Sequence, residues 1–231
     1  TWFDKRSSTP AQPEQAVLDG IVALLRRAGL EPADLLEVLH GTTVGSNTLL
    51  QQSGARTGLI TTKGLRDALE MRRGIREEQY NNRYTNVEPL VPRYLRMGVG
   101  GRLDRNGAEI DALDLDNIRA AIETFKTEDV EAVSICFMNA FANPGHERAA
   151  AELVRQELPG AYLTVSTDLL PSIRFYERIS TTALNSYVGP KLSHYLDQLQ
   201  ARLKDIGFAG VLMVMQSNGG VMSPEVAREQ A

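Results

Sequence analysis

The run VEAVSICFMNAF, residues 130–141, constrains this chain more than any other stretch. It has no polar alternation, so a strand here must be covered on both faces. It is followed by Asn143-Pro144, which suits a helix start, with asparagine as N-cap and proline in the first turn of a helix over 144–158. Other apolar strands recur in the same way. LLEVLHGTT (35–43), RTGLITT (56–62), AYLTVSTDLL (161–170) and GVLMVMQSNGG (210–220) each read as a strand, the second and the last buried. Helical periods fall between them. Val17, Leu18, Ile21, Leu24 and Leu25 mark residues 13–28, with Gly29 placed to end the helix. KGLRDALEMRR (63–73) reads as a helix. Asp114 is placed to cap a helix with Leu115, Ile118, Ile122 and Phe125 on one face. Leu192, Tyr195, Leu196, Leu199, Leu203 and Ile206 line a long helix over 176–206. Strand alternating with helix predicts an α/β fold with a largely parallel sheet.

Two stretches break the alternation. Residues 74–92 have no clear period and read as a long loop, a length often associated with function. Residues 93–113 read as a β-hairpin turning at Asn106-Gly107. Residues 1–10 read as the tail of a strand and a linker, and residues 223–231 as a shortened helix, so the chain is expected to be a fragment of a longer polypeptide.

The 231 residues allow one large domain or two modest ones. The net charge of −4 gives no reason to expect nucleic acid or an anionic membrane as partner. No apolar run approaches the roughly 18 residues that a membrane helix needs. The lone cysteine, Cys136, sits within the apolar run and reads as a buried small hydrophobe in a reducing, cytoplasmic compartment.

Three strands end in polar, glycine-containing segments: His40-Gly41-Thr42-Thr43, Thr61-Thr62-Lys63-Gly64 and Gln216-Ser217-Asn218-Gly219-Gly220. Ligands of open α/β sheets bind beyond the carboxyl ends of strands, and the three tips are expected on one sheet edge. Each is either turn and cap chemistry or a loop built to touch a ligand. Asn47, at the start of a short helix expected through Leu50, joins the first group. Arg72 and Arg73, beside Arg76 and Arg83, suit carboxylate or phosphate, or else form a solvated face paired with Glu77 and Glu78. Arg178, Ser180, Thr181 and Asn185 fall on successive turns of the long helix and suggest a partly buried polar network. His40 is the one histidine where a ligand could be, although bracing the turn is its simpler role. His146 and His194 read as structural or solvated. No zinc spacing, Walker loop or complete dinucleotide fingerprint is present, and no metal ligands are assigned.

HGTTVGSNTLLQQSGARTGLITTKGLRDALEMRRG (40–74), PLVPR, CFMNAFANPGHERAAAELV, YERISTTALNSYVGP and VMQSNGG occur in this order. Together they resemble the hydantoinase/oxoprolinase family, over nearly the whole chain. The resemblance implies an RNase-H-like, actin-like (sugar-kinase-like) ATPase lobe, incomplete at both ends. It implies an amino-terminal hydantoinase A region over 1–170 and the start of the main domain over 171–231. The family's D-x-G-G-T-x-T-D phosphate loop would precede Thr1, and a second phosphate loop would lie beyond Ala231. ATP and magnesium are therefore expected to be held mainly by segments outside this chain, and the isolated fragment is expected to be inactive. The implied activity is ATP-dependent activation of a carbonyl by phosphorylation, for ring-opening hydrolysis of a cyclic amide such as hydantoin or 5-oxoproline. The alternatives are an ATP-using subunit of an acetone- or acetophenone-type carboxylase, or a non-catalytic scaffold. A second subunit or domain is implied as partner. The candidate residues named above are expected to face a substrate and nucleotide cleft.

Overall fold

The computed structural model describes residues 1–8 and 12–231. Residues 1–8 form neither helix nor strand, and the last two residues of the expected strand tail and linker, Thr9 and Pro10, lie outside the described residues. The chain divides into two compact units, one of residues 1–52 with 191–231 and the other of residues 53–190. This spatial division is distinct from the regional boundary expected near residue 170.

In the first unit, α1 (Pro13–Ala28) ends where Gly29 takes a left-handed conformation, φ 69°, and returns its N–H to Arg26. Next come β1 (Glu37–His40) and α2 (Val44–Leu50). The unit closes with β8 (Val211–Met215), β9 (Val221–Met222) and α8 (Pro224–Glu229). β1 and β8 are parallel, with His40 opposite Val214, and β8 turns back antiparallel into β9. The expected polar exit of the last strand is thus the turn of a hairpin. β8 is also not buried on both faces: Leu212 and Val214 are covered, whereas Val211 and Met215 are about half exposed.

The second unit holds a four-stranded parallel sheet, ordered β3-β2-β6-β7. Its strands are β2 (Thr57–Thr62), β3 (Arg96–Val99), β6 (Ala132–Cys136) and β7 (Tyr162–Val165). β2 and β6 are buried throughout, as their unbroken apolar runs require. α4 (Leu115–Thr127) and α5 (Gly145–Glu157) pack on one face. The Asp114 side chain caps α4 by accepting from the Asn117 N–H. Phe125 of α4 lies so close to Gly58 that a Cβ there would sit 2.6 Å from the ring. Gly58 pairs with Val133, so Ser134 points to the opposite face. There its hydroxyl meets Ser186 at 2.8 Å, on α7 (Phe175–Asp205).

Several expectations need correction. KGLRDALEMRR yields only one helical turn, α3 (Ala68–Met71). The hairpin over 93–113 is confined to β4 (Arg102–Leu103) and β5 (Glu109–Asp111); residues 96–99 instead pair parallel to β2. Finally, the three polar tips do not share one sheet edge. Those of β1 and β8 are neighbours, whereas that of β2 belongs to the other unit's sheet.

Candidate functional site

Parallel pairing of β1 with β8 places their carboxyl ends side by side. A Cβ on Gly41 would meet the Met215 sulfur at 3.8 Å. Past this point both segments leave the sheet and expose neutral polar groups. Thr42 accepts the Val44 N–H at 3.2 Å, and the Thr43 hydroxyl accepts from the Asn47 amide at 3.3 Å. Gly41, Thr43 and Asn47 are exposed. Across from them, the Gln216 N–H bonds the Gly220 carbonyl, and the Asn218 side chain accepts the Gly220 N–H at 2.8 Å. Gly219, at φ 87°, makes the reversal that a side chain would strain. Ser217 and Asn218 stand at the exposed tip, and Gln216 is half buried against Met222. The first unit thus brings His40, Gly41, Thr42, Thr43, Asn47, Gln216, Ser217, Asn218 and Gly219 to one end of one sheet.

His40 braces this end from within. It is buried, and its Nε2 lies 2.8 Å from the Tyr195 hydroxyl. Burial holds the imidazole below its ordinary pKa, so it is neutral at pH 7. Burial likewise raises the Tyr195 phenol, a shift opposed by hydrogen bonding with Thr42. Tyr195 had read only as part of an apolar helix stripe; its hydroxyl carries no periodicity, so no local signal pointed to it. The same unit buries Glu14, which meets Arg202 at 3.2 Å.

The other candidates belong to the second unit. Thr61 and Thr62, expected at a pocket, are interior ties. The Thr61 hydroxyl donates to the Cys136 carbonyl at 2.7 Å, and that of Thr62 accepts the Met138 N–H at 2.9 Å. Both side chains are buried. Arg178 is fully buried between the Phe141 and Phe175 rings, with guanidinium N–H groups on the Phe137 and Ser172 carbonyls. Asn185 donates to Thr164 at 3.0 Å and to the Tyr162 hydroxyl. On α7, Arg178 and Asn185 are thus buried polar side chains that bond to different parts of the unit. Ser180 bonds the Glu177 carbonyl, and Thr181 is half buried on the same helix.

A buried acid escaped notice in the sequence. Glu147, in the first turn of α5, is fully covered and accepts from the Phe137 N–H, the Ser166 hydroxyl and the Thr167 N–H at 2.6–2.9 Å. It ties the end of β6 to the start of α6 (Ser166–Leu169). Burial raises its pKa against these three bonds.

Arg72 and Arg73 lie at the start of the irregular segment after α3. Arg72 pairs with Glu77, and Arg73 with Glu177. His146 sits 2.7 Å from Glu109. Among the described residues no group of three or more His, Cys, Asp or Glu could hold a metal ion. No helix among them is long and apolar enough to cross a membrane.

Residues 3–158 match the model of the hydantoinase/oxoprolinase N-terminal region, and residues 178–231 match that of hydantoinase/oxoprolinase. The caprolactamase subunit alpha of Pseudomonas jessenii is 36% identical over 98% of this chain and 34% of its own length. The acetophenone carboxylase gamma subunit of Aromatoleum aromaticum is 28% identical over 94% of the chain and 32% of its own. The crystal structure of the ATP-dependent caprolactamase from Pseudomonas jessenii superposes with a TM-score of 0.87 at 35% identity, covering 94% of this chain and 32% of that one. A nucleotide-free acetone carboxylase structure gives a TM-score of 0.84 at 26% identity, covering 97% and 34%. The chain thus spans about a third of the length of these relatives, and its mixed α/β fold is of the actin-like ATPase type that they share. On the match of its residues 3–158 and 178–231, the chain belongs to the hydantoinase/oxoprolinase family.

Proposed function

We propose that this chain contributes to an ATP-dependent enzyme that opens a cyclic amide, of the hydantoin or 5-oxoproline kind, by phosphorylating its carbonyl oxygen. The observation that carries this reading is 36% identity to a caprolactamase subunit along 98% of the chain, against 28% for the acetophenone carboxylase subunit. A lactam is a cyclic amide, and an amide carbonyl is a poor electrophile until its oxygen is modified. Transfer of the γ-phosphoryl group from ATP to that oxygen gives an imidate phosphate and ADP. Water then adds to the carbon, the ring C–N bond breaks as the ring nitrogen takes a proton, and a second water hydrolyses the resulting acyl phosphate to carboxylate and free phosphate. Such chemistry depends mainly on positioning and on charge stabilisation at the transferring group.

In this reading the exposed ends of β1 and β8 hold substrate. Thr42, Thr43, Asn47, Gln216, Ser217 and Asn218 offer uncharged donors and acceptors suited to an amide, and Gly41 and Gly219 let backbone approach closely. His40 supports the first loop from beneath. The donor set contains no carboxylate, so it does not fit a divalent metal. The magnesium that accompanies ATP is assigned, with the phosphates, to segments outside this chain. A second subunit is proposed as partner, because relatives are named as alpha and gamma subunits. The lone buried Cys136 suits a reducing, cytoplasmic setting.

The fit to acetone carboxylase, TM-score 0.84, favours a second reading in which a phosphorylated ketone enol attacks activated bicarbonate. ATP hydrolysis by the whole assembly separates the two. Stimulation by hydantoin, 5-oxoproline or a lactam supports ring opening. Stimulation only by a ketone with bicarbonate overturns it.

A further inference from the structure

Residues 71–74 form a tight turn in which the Gly74 N–H bonds the Met71 carbonyl at 2.9 Å. Its second residue is Arg72, at φ 55°, ψ −128°. That conformation is the first central position of a mirror-image turn, which normally takes glycine. A residue with a side chain is strained there, and such strain persists only where the surroundings enforce it. The Arg72 partner is Glu77, itself about half exposed. An exposed ion pair recovers less than such a backbone costs. The pairing therefore does not by itself account for an arginine at this position.

The groups around the guanidinium say what would. One Glu77 oxygen takes an Arg72 N–H and the other takes the Tyr84 hydroxyl. Tyr84 and Tyr176 also hydrogen-bond with the guanidinium, while its Nη1 is covered and makes no hydrogen bond of its own. An unpaired buried donor is costly and points to a missing acceptor. Arg73 fastens the turn to α7 through Glu177, so the arrangement is held from both sides.

We propose that the Met71–Gly74 turn, with Tyr84 and Tyr176, forms a binding site for the carboxylate of a small molecule, and that Glu77 occupies it in the ligand's absence. The Glu77 carboxylate displays the recognition: a guanidinium edge for one oxygen and a phenol for the other. It is tethered within the irregular segment 74–92, where exchange with an incoming anion requires no core rearrangement.

Calorimetric titration of the whole protein with acetate, and separately with inorganic phosphate, at constant ionic strength tests this site. No nucleotide is present, so failure here leaves the carbonyl-activation reading untouched. An internal occupant present about nine-tenths of the time lowers apparent affinity about tenfold. Glu77→Gln should accordingly bind acetate about tenfold more tightly than the natural protein. Arg72→Gly, which suits the backbone, should fold and lose acetate binding. Unchanged acetate affinity in Glu77→Gln, retention of binding in Arg72→Gly, phosphate binding without acetate binding, or no acetate binding in any form each overturns the proposal.

Discussion

The Tyr195 hydroxyl lies 2.8 Å from His40 Nε2 and joins the C-terminal half of α7 to the last residue of β1. Tyr195→Phe keeps the ring and removes this partner, leaving a buried imidazole nitrogen unsatisfied. The expected cost is about 1–3 kcal/mol. Urea denaturation of the variant should show a lower midpoint with an unchanged slope. Thr43→Val, which alters only the exposed loop beyond His40, should leave stability nearly unchanged and lower substrate-stimulated ATP turnover by the whole protein. Normal turnover in that variant would remove Thr43 from the proposed site.

His40 also sets a pH dependence. Its folded pKa lies below the ordinary 6.5 because burial disfavours the imidazolium. The unfolded chain therefore binds this proton more readily than the folded one. Stability from a neutral His40 is complete above about pH 6.5 and is lost as pH falls from there through the lowered folded value. Denaturation midpoints from pH 8 to 5, compared with those of His40→Gln, should diverge most above pH 6.5 and converge toward pH 5.

The glycines make a steric prediction. A Cβ on Gly54 would lie 2.2 Å from the Tyr187 ring, a distance no real Cβ tolerates. Gly54→Ala should cost about 1–3 kcal/mol through overpacking. Tyr187→Leu in the same chain should recover part of that loss, because the bond from the Ala55 N–H to the Tyr187 carbonyl involves backbone alone. Thermal melts of the two single variants and the double variant measure the coupling. Additive losses would refute the contact.

What could be read from the sequence follows a physical divide. α1, α4 and β6 announce themselves because periodicity and caps act within a few residues: Gly29 ends α1, Asp114 starts α4, and an unbroken apolar run marks β6. Residues 96–99 read locally as part of a hairpin because the Asn106-Gly107 turn nearby is a strong signal, whereas their parallel pairing to β2 joins positions far apart in sequence. The ends of β1 and β8 are legible as polar tips that share one sheet edge, whereas that of β2, grouped with them on the same local signal, belongs to another sheet. Glu147 and Tyr195 went unseen for a related reason. A carboxylate in a helix first turn and an aromatic on an apolar stripe are ordinary locally; only distant partners give them their roles. Arg72 shows the converse, since nothing in MRRG declares that its first arginine occupies a glycine's conformation.

Glu147 offers a measure of how much one buried acid organises. It accepts from two backbone N–H groups and one hydroxyl, across β6, α5 and α6. Glu147→Ala abandons all three donors in a site without water access and should cost about 3–5 kcal/mol. Glu147→Gln keeps one acceptor oxygen but sets an NH2 against N–H donors, so a smaller loss of about 1–3 kcal/mol is expected. Equal stability of the two variants, by urea denaturation, would mean that the hydrogen bonds contribute little and that side-chain volume alone matters.

Cys136 closes the set with a kinetic test. Its thiol is fully buried at the end of β6, and burial, reinforced by the nearby Glu147 carboxylate, pushes its pKa up to about 12. Only the thiolate attacks an alkylating reagent, and in an exposed chain it forms near pH 8.5. At pH 8 the folded protein has both too little thiolate and no path for the reagent. Iodoacetamide labelling, followed by mass spectrometry, should therefore proceed only through unfolding. Its rate should rise with urea in step with the unfolding rate and be immediate once the chain is denatured. Labelling that is fast and insensitive to urea below the unfolding midpoint would show that β6 opens locally, and the buried ties from Thr61 to the Cys136 carbonyl and from Arg178 to the Phe137 carbonyl would then have to open with it.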